Sequence, residues 1–229
     1  MTRPPPSRLL LVRHPETDWN KEGRWQGHAD QPLNATGIGQ MLASLEAIRA
    51  EGVAAIYTSD LLRAQEMAVW LGIKLGLRPR VAASLRERSM GEWEGLTPAE
   101  VRARWPLEFA RAEADPLRVS PPGGESFAAL LRRAAPPLAR IASQHPGETA
   151  LVATHGGILK ALLCTLLDMD LAERETLGLH NGSRVLLEVA PGRIPPARQG
   201  PGALGRWTIL KPTQLAERQS THEIDEALL

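Results

Sequence analysis

Two arginines and two histidines stand just beyond the ends of apolar runs in this chain. Leu9-Leu10-Leu11-Val12 stops at Arg13-His14, and Pro15 forces the turn. A second run, residues 53–58, stops at Ser59, with Arg63 within the next helical turn. A third, residues 149–154, stops at His155-Gly156-Gly157. In open α/β folds ligands bind at the carboxyl ends of strands. If these three strands are parallel neighbours, the four side chains meet at one edge of a sheet, beside helix N-termini that add N–H donors. Such a cluster calls for an anion. A phosphoryl group suits it, because a guanidinium fork makes paired hydrogen bonds to phosphate oxygens.

Each residue alone has a plainer reading. Arg13 could be a surface arginine, Arg63 a solvated helix residue, and His14 or His155 a hydrogen-bonded structural histidine. Gly156-Gly157 could let the backbone pass close to a ligand or simply turn strand into helix. The four placements together favour a site. Arg63 adds to this: a cation in a first helical turn opposes the macrodipole by about 0.3–1 kcal/mol, and a bound anion reverses that sign. A nucleophilic His14 would have to be neutral at the attacking nitrogen, with its other nitrogen donating to a carbonyl. Attack on phosphorus would give a phosphohistidine, with the arginines stabilising the phosphoryl oxygens. A general acid must then protonate the leaving oxygen. Glu87, Glu92 and Glu94 are all candidates, and composition does not choose among them.

The elements that must position these groups follow from periodicity and turn chemistry. Residues 36–51 carry Ile38, Met41, Leu42, Leu45 and Ile48 at helical spacing. Ser59-Asp60 offers an N-cap for a helix burying Ala64, Ala68, Leu71 and Leu75. Residues 19–30 read as a loop over the first strand. A short strand is expected over 80–83. Thr97-Pro98-Ala99-Glu100 is a capping box with proline at the first helical position. A short helix is expected near 106–114, and another from Phe127 that Pro136-Pro137 should break or kink. An apolar helix follows over 158–167, then a strand over 184–189 that could pair with one over 207–210.

This alternation predicts an α/β fold: a mainly parallel sheet with helices on both faces, in three α/β/α layers. Residues 1–212 are expected to form one domain. A helical cap insertion is expected at about 85–145, a flexible loop at about 191–205, and a separate tail over 213–229. The three prolines after Arg3 read as a disordered leader.

With 229 residues, 43% of them apolar and 23% charged, the chain can build a packed core. A formal net charge of +1 does not suggest a nucleic-acid surface. The single cysteine, Cys164, excludes an intrachain disulfide and fits a reducing compartment. No HExxH or HxxxH pair occurs among the six histidines, so no metal site is expected. The longest apolar segment, 158–167, contains Lys160 and falls far short of a membrane span. A cytoplasmic protein without membrane or nucleic-acid partners is expected. Its oligomeric state is left open, a homodimer included.

The chain resembles the histidine phosphatase superfamily, which includes the cofactor-dependent phosphoglycerate mutases. Arg13-His14-Pro15-Glu16-Thr17 followed by Trp19-Asn20 is similar to the family's first block, and Gly23-Arg24-Trp25-Gln26-Gly27 to its second. Ser59-Asp60-Leu61-Leu62-Arg63-Ala64 and Leu85-Arg86-Glu87 with Gly91-Glu92-Trp93-Glu94-Gly95 resemble later blocks. Pro122-Gly123-Gly124-Glu125-Ser126 and Thr154-His155-Gly156-Gly157 complete the series, over roughly residues 8–190. The resemblance implies His14 as the phosphorylated nucleophile, with Arg13, Arg63 and His155 binding phosphate. It implies Glu87 as proton donor, and Asn20, Gln26, Gly27 and Gly156 as phosphate or substrate contacts. No metal or other cofactor is implied.

The family pattern has glycine where Pro15 stands, and proline removes an N–H and fixes φ near −65°. A strand-end residue commonly has negative φ, so the site is expected to survive. Mutases of the family carry Asn after His-Gly and a basic cap segment. This chain has Gly157, and only scattered Arg104, Arg111 and Arg118. Hydrolysis of a small phosphomonoester is therefore the expected activity. A cofactor-dependent phosphoglycerate mutase and a non-catalytic phosphate-binding module are the alternatives.

Overall fold

A computed structural model describes residues 4–190 and 207–213. Six strands form one sheet: β1 (Ser7–Arg13), β2 (Val53–Thr58), β3 (Arg80–Val81), β4 (Thr149–Thr154), β5 (Arg184–Val189) and β6 (Trp207–Thr213), in the order β3-β2-β4-β1-β5-β6. The pairs β2–β3, β2–β4 and β1–β4 are parallel. β5 runs antiparallel to β1, and β6 antiparallel to β5.

Seven α-helices among the described residues accompany them: α1 (Asp18–Lys21), α2 (Ala35–Ala50), α3 (Leu62–Leu75), α4 (Pro98–Arg104), α5 (Pro106–Ala114), α6 (Phe127–Gln144) and α7 (Gly156–Leu166). Side chains of a strand alternate between faces, and β1 sorts its leucines accordingly. Leu9 and Leu11 pack with α6 and α7 through Leu130, Leu138, Ile158 and Leu162. Leu10 and Val12 pack with α2 and α3 through Met41, Ile48, Met67 and Leu71. The three-layer α/β/α architecture is as expected. Fully burying each such side chain contributes about 1.5–3 kcal/mol.

Several local expectations are corrected. Residues 19–30 are not all loop: Thr17 and Asn20 form a capping box that starts α1. Ser59-Asp60 does not cap α3. Leu61 stands at its N-cap without a side-chain cap bond, because Ser59 turns to His155 and Asp60 pairs with Arg86 at 2.6 Å. On α2, Ile38 and Leu42 are exposed despite their helical spacing. The prolines are not a leader detached from the fold, since Pro6 O accepts from Gly147 N–H.

α6 runs unbroken through Pro136 and Pro137. An interior proline costs about 3 kcal/mol or more. Leu130, Ala134, Leu138 and Ile141 on either side of the pair hold the helix in the core. That places α6 on the sheet. Of the segment 85–145, residues 90–112 instead contribute to a separate apolar cluster, in which Trp93 and Phe109 pack around Trp25. The loop expected at 191–205 and all but the first residue of the tail over 213–229 lie outside the described residues.

Candidate active site

The sheet register sets the site. Arg13 pairs with Thr154 in adjacent parallel strands, so the chain leaves both strands at one level, at His14 and His155. Their ring centroids lie 5.4 Å apart. His14 N–H donates to Thr154 O at 2.9 Å, which ties the first residue past β1 to the end of β4.

His14 is buried, and its Nδ1 lies 2.7 Å from Pro15 O. A carbonyl only accepts, so Nδ1 carries the proton and Nε2 the lone pair. Pro15 thus contributes a carbonyl, which proline retains. Among the described residues only Asp168 combines a side chain with positive φ, so Pro15 is not strained. Asn181 Nδ2 lies within hydrogen-bonding reach of Pro15 O, of His14 O at 3.1 Å and of Asn20 Oδ1 at 3.0 Å. Asn20 Oδ1 also accepts from Thr17 N–H and Thr17 Oγ1.

His155 is fully buried. Its Nε2 lies 2.8 Å from Ser59 Oγ, and its Nδ1 has no hydrogen-bond partner. Burial is the main cause that pushes both imidazoles well below their usual range. For His14, Arg63 and then Arg13 add to it, against the Pro15 carbonyl. For His155, Arg63, His14 and Arg13 add to it. Both rings are held neutral at pH 7.

Arg63 is not solvated but fully buried. Its two terminal nitrogens donate to Ala29 O at 2.9 Å and Gly27 O at 2.8 Å, and Nε is unpartnered. Burial lowers its pKa to about 10, so it stays charged. Arg13 is arranged alike: one terminal nitrogen donates to Leu179 O, and Nε is buried without a partner. Burial lowers its pKa too, against the fields of Glu87 and Glu175. Gly156 lies against the Arg13 guanidinium, where a Cβ would come within 3.3 Å.

Of the three candidate acids, Glu87 reaches the site. Its Oε2 accepts from Gly157 N–H at 2.9 Å and its Oε1 from Arg88 N–H at 2.7 Å. Glu92 is exposed. Glu94 Oε1 accepts from His28 N–H and Met90 N–H, bracing the loop. The Glu87 segment is gripped from α6 by Arg133, which donates to Ser84 O, Arg86 O and Glu87 O, each at 3.0 Å. Arg133 is paired with Glu125 at 2.7 Å, and Glu125 also accepts from Ser89 N–H.

The structure therefore gathers His14, His155, Arg13, Arg63, Glu87 and Gly156, with Asn20 joined to them through Asn181. Gly27 serves the cluster through its carbonyl on Arg63; its φ of +52° and the closeness of Glu94 Oε1 suit only glycine. Gln26 is buried, and its Oε1 is unpartnered. Asn181 and Arg133 were missed by sequence reasoning. Asn181 stands in an Asn-Gly pair that signals only a turn, and Arg133 is one of several arginines on a helix. Ser59 carried a cap signal that pointed to the wrong role. Among the described residues, no group of three or more His, Cys, Asp or Glu could hold a metal ion.

The family model for the histidine phosphatase superfamily (branch 1) matches residues 9–198. The chain belongs to that superfamily. It is a phosphomonoester hydrolase of the family, as the fold and site suggest. It is 38% identical to a metal-independent phosphoserine phosphatase of Arabidopsis thaliana, over 67% of this chain and 66% of the relative. It is 35% identical to a glucosyl-3-phosphoglycerate phosphatase of Mycobacterium tuberculosis, over 75% and 80% of the two chains. Among solved structures, a mycobacterial glucosyl-3-phosphoglycerate phosphatase complexed with VO3 superposes with a TM-score of 0.71 at 34% identity, over 79% of this chain and 92% of that one.

Proposed function

We propose that the chain hydrolyses a small phosphorylated metabolite through a phosphohistidine on His14. The Nε2 lone pair attacks phosphorus, and the bond to the leaving oxygen breaks as Glu87 supplies its proton. Glu87, now a carboxylate, takes a proton from water as that water attacks phosphorus. The P–N bond breaks, inorganic phosphate leaves and both residues return to their starting states. Arg13, Arg63 and His155 hold the phosphoryl oxygens, with Asn20, Gln26 and Gly156 at the margin of the pocket and Gly27 behind Arg63.

One observation carries this reading. Three buried nitrogens, Arg13 Nε, Arg63 Nε and His155 Nδ1, lack partners in the cluster around His14, whose Nδ1 is taken up by Pro15 O. Buried polar groups are normally satisfied, and a phosphoryl group would satisfy these. The relatives named for phosphoserine and glucosyl-3-phosphoglycerate support a small phosphorylated metabolite as substrate. A cytoplasmic setting fits the single buried cysteine. Among the described residues no helix is long and apolar enough to cross a membrane.

The test is rapid quench with substrate labelled in the phosphoryl group. An acid-labile phosphoenzyme is expected from the unaltered protein and none from His14→Ala. A phosphoenzyme that persists in His14→Ala removes His14 as nucleophile. Isomerisation of a phosphoglycerate, primed by its bisphosphate, at a rate above phosphate release would make the chain a mutase.

A further inference from the structure

The phosphate pocket leaves one proton unassigned. His155 is neutral, so only one of its nitrogens carries hydrogen, and a phosphoryl oxygen can be held only by the nitrogen that does. Nε2 faces Ser59 Oγ at 2.8 Å, and Nδ1 is buried without a partner. The hydroxyl decides between them. Ser59 Oγ already accepts from Leu61 N–H at 3.3 Å. Among the described residues, Ser59 Oγ has no acceptor for its own hydrogen other than His155 Nε2. If Nε2 carried the ring proton, the buried hydroxyl hydrogen would have nowhere to go, and the Nδ1 lone pair would face incoming phosphoryl oxygens. With the ring proton on Nδ1, every group is used: O–H donates to Nε2, and Nδ1–H waits for an anion.

We infer that Ser59 is a positioning residue, whose hydroxyl donates to His155 Nε2 and so keeps the ring proton on Nδ1, the nitrogen that meets the phosphoryl group. The two histidines then share a pattern with opposite uses. Pro15 O accepts from His14 Nδ1 and leaves Nε2 bare for attack. Ser59 donates to His155 Nε2 and leaves Nδ1 protonated for holding. Ser59 and Leu61 link the end of β2 to the start of α3, so the turn that leads into the helix carrying Arg63 also orients His155. The inference rests on the phosphatase reading above.

Two measurements test it. In nitrogen-15 spectra of the unliganded protein near neutral pH, the His155 signals, assigned by comparison with His155→Gln, are expected to show hydrogen on Nδ1. In Ser59→Ala they should shift toward hydrogen on Nε2 or a mixture. Hydrogen on Nε2 in the unaltered protein overturns the inference. The second measurement is vanadate affinity in a double-mutant cycle. Ser59→Ala should weaken binding about tenfold, and have less than about a twofold further effect in a His155→Ala background. Equal losses in both backgrounds would make Ser59 merely structural and overturn the inference. No loss on His155→Ala alone would defeat the phosphate-holding role of His155, and with it the premise.

Discussion

His14 and His155 stand where the backbone leaves the sheet, whereas the stretch of backbone that carries Glu87 is held by side chains. The two histidines leave neighbouring parallel strands at paired residues, and the strands are buried on both faces. Glu87 lies on an irregular segment beyond β3, gripped by an arginine from α6 and a glutamate just before it. The nucleophile side is thus as rigid as the sheet. The acid side depends on a few polar contacts across 36 to 49 positions of sequence. Placement of attack and placement of proton transfer should therefore fail separately.

The largest expected effect comes from His14→Ala, which should lower turnover by more than about 10³-fold while leaving thermal stability near its original value. Steady-state rates and a melting curve check both halves. Next, Glu87→Gln should slow alkyl phosphates by about 10²–10⁴-fold and p-nitrophenyl phosphate far less, since a good leaving group needs little protonation. Equal losses on both esters would show that Glu87 is not the acid.

Arg133→Lys, with Glu125→Gln as the milder change, should reproduce the leaving-group dependence of the Glu87 variant at smaller size. The ceiling is on the order of 10²-fold, the loss that misplacement of a catalytic group can cause. Vanadate affinity should hardly change, because the phosphate side stands on the sheet. Loss of vanadate affinity to the same extent would erase the distinction between the two sides.

The histidines also give a pH signature. The folded chain keeps both rings neutral where the unfolded chain, with ordinary histidines, protonates them below about pH 6.5. The unfolded state then binds more protons, so this part of the stability is complete above that pH. It is lost progressively as pH falls from there toward the depressed folded-state values. The thermal midpoint should drop between about pH 7 and pH 5, and His155→Gln should drop less over the same interval. The acid limb of kcat/KM attributable to His14 should lie below the usual imidazole range. The smallest effect is expected from Pro15→Gly: a stability loss of about 0.4–1 kcal/mol from added unfolded-state freedom, with the Nδ1 bond and turnover retained.

Much of the nucleophile side was legible in the sequence for a physical reason. Leu9-Leu10-Leu11-Val12 and Ala150-Leu151-Val152-Ala153 are apolar runs of strand length, the pattern of strands covered on both faces, and parallel neighbours end together. Arg13, His14 and His155 follow from that. Arg63 was legible as a position, but its full burial was not, because the carbonyls that hold it belong to residues 27 and 29. The acid side was less legible. Local pattern cannot separate Glu87 from Glu92 and Glu94, since the choice is made by Gly157, 70 positions away. Arg133 and Asn181 were invisible for the same reason. Pro136-Pro137 did not end α6, because proline reports a local cost and packing of the flanking turns outweighed it.

Gly157 reaches beyond its N–H bond to Glu87. A Cβ there would run into Glu87 Oε1. Any side chain at this position, the asparagine of the mutase pattern included, would force the carboxylate to another resting place. The second glycine after His155 is thus a spatial reservation for the acid: one hydrogen atom in place of a methyl group decides whether Glu87 can rest against the start of α7.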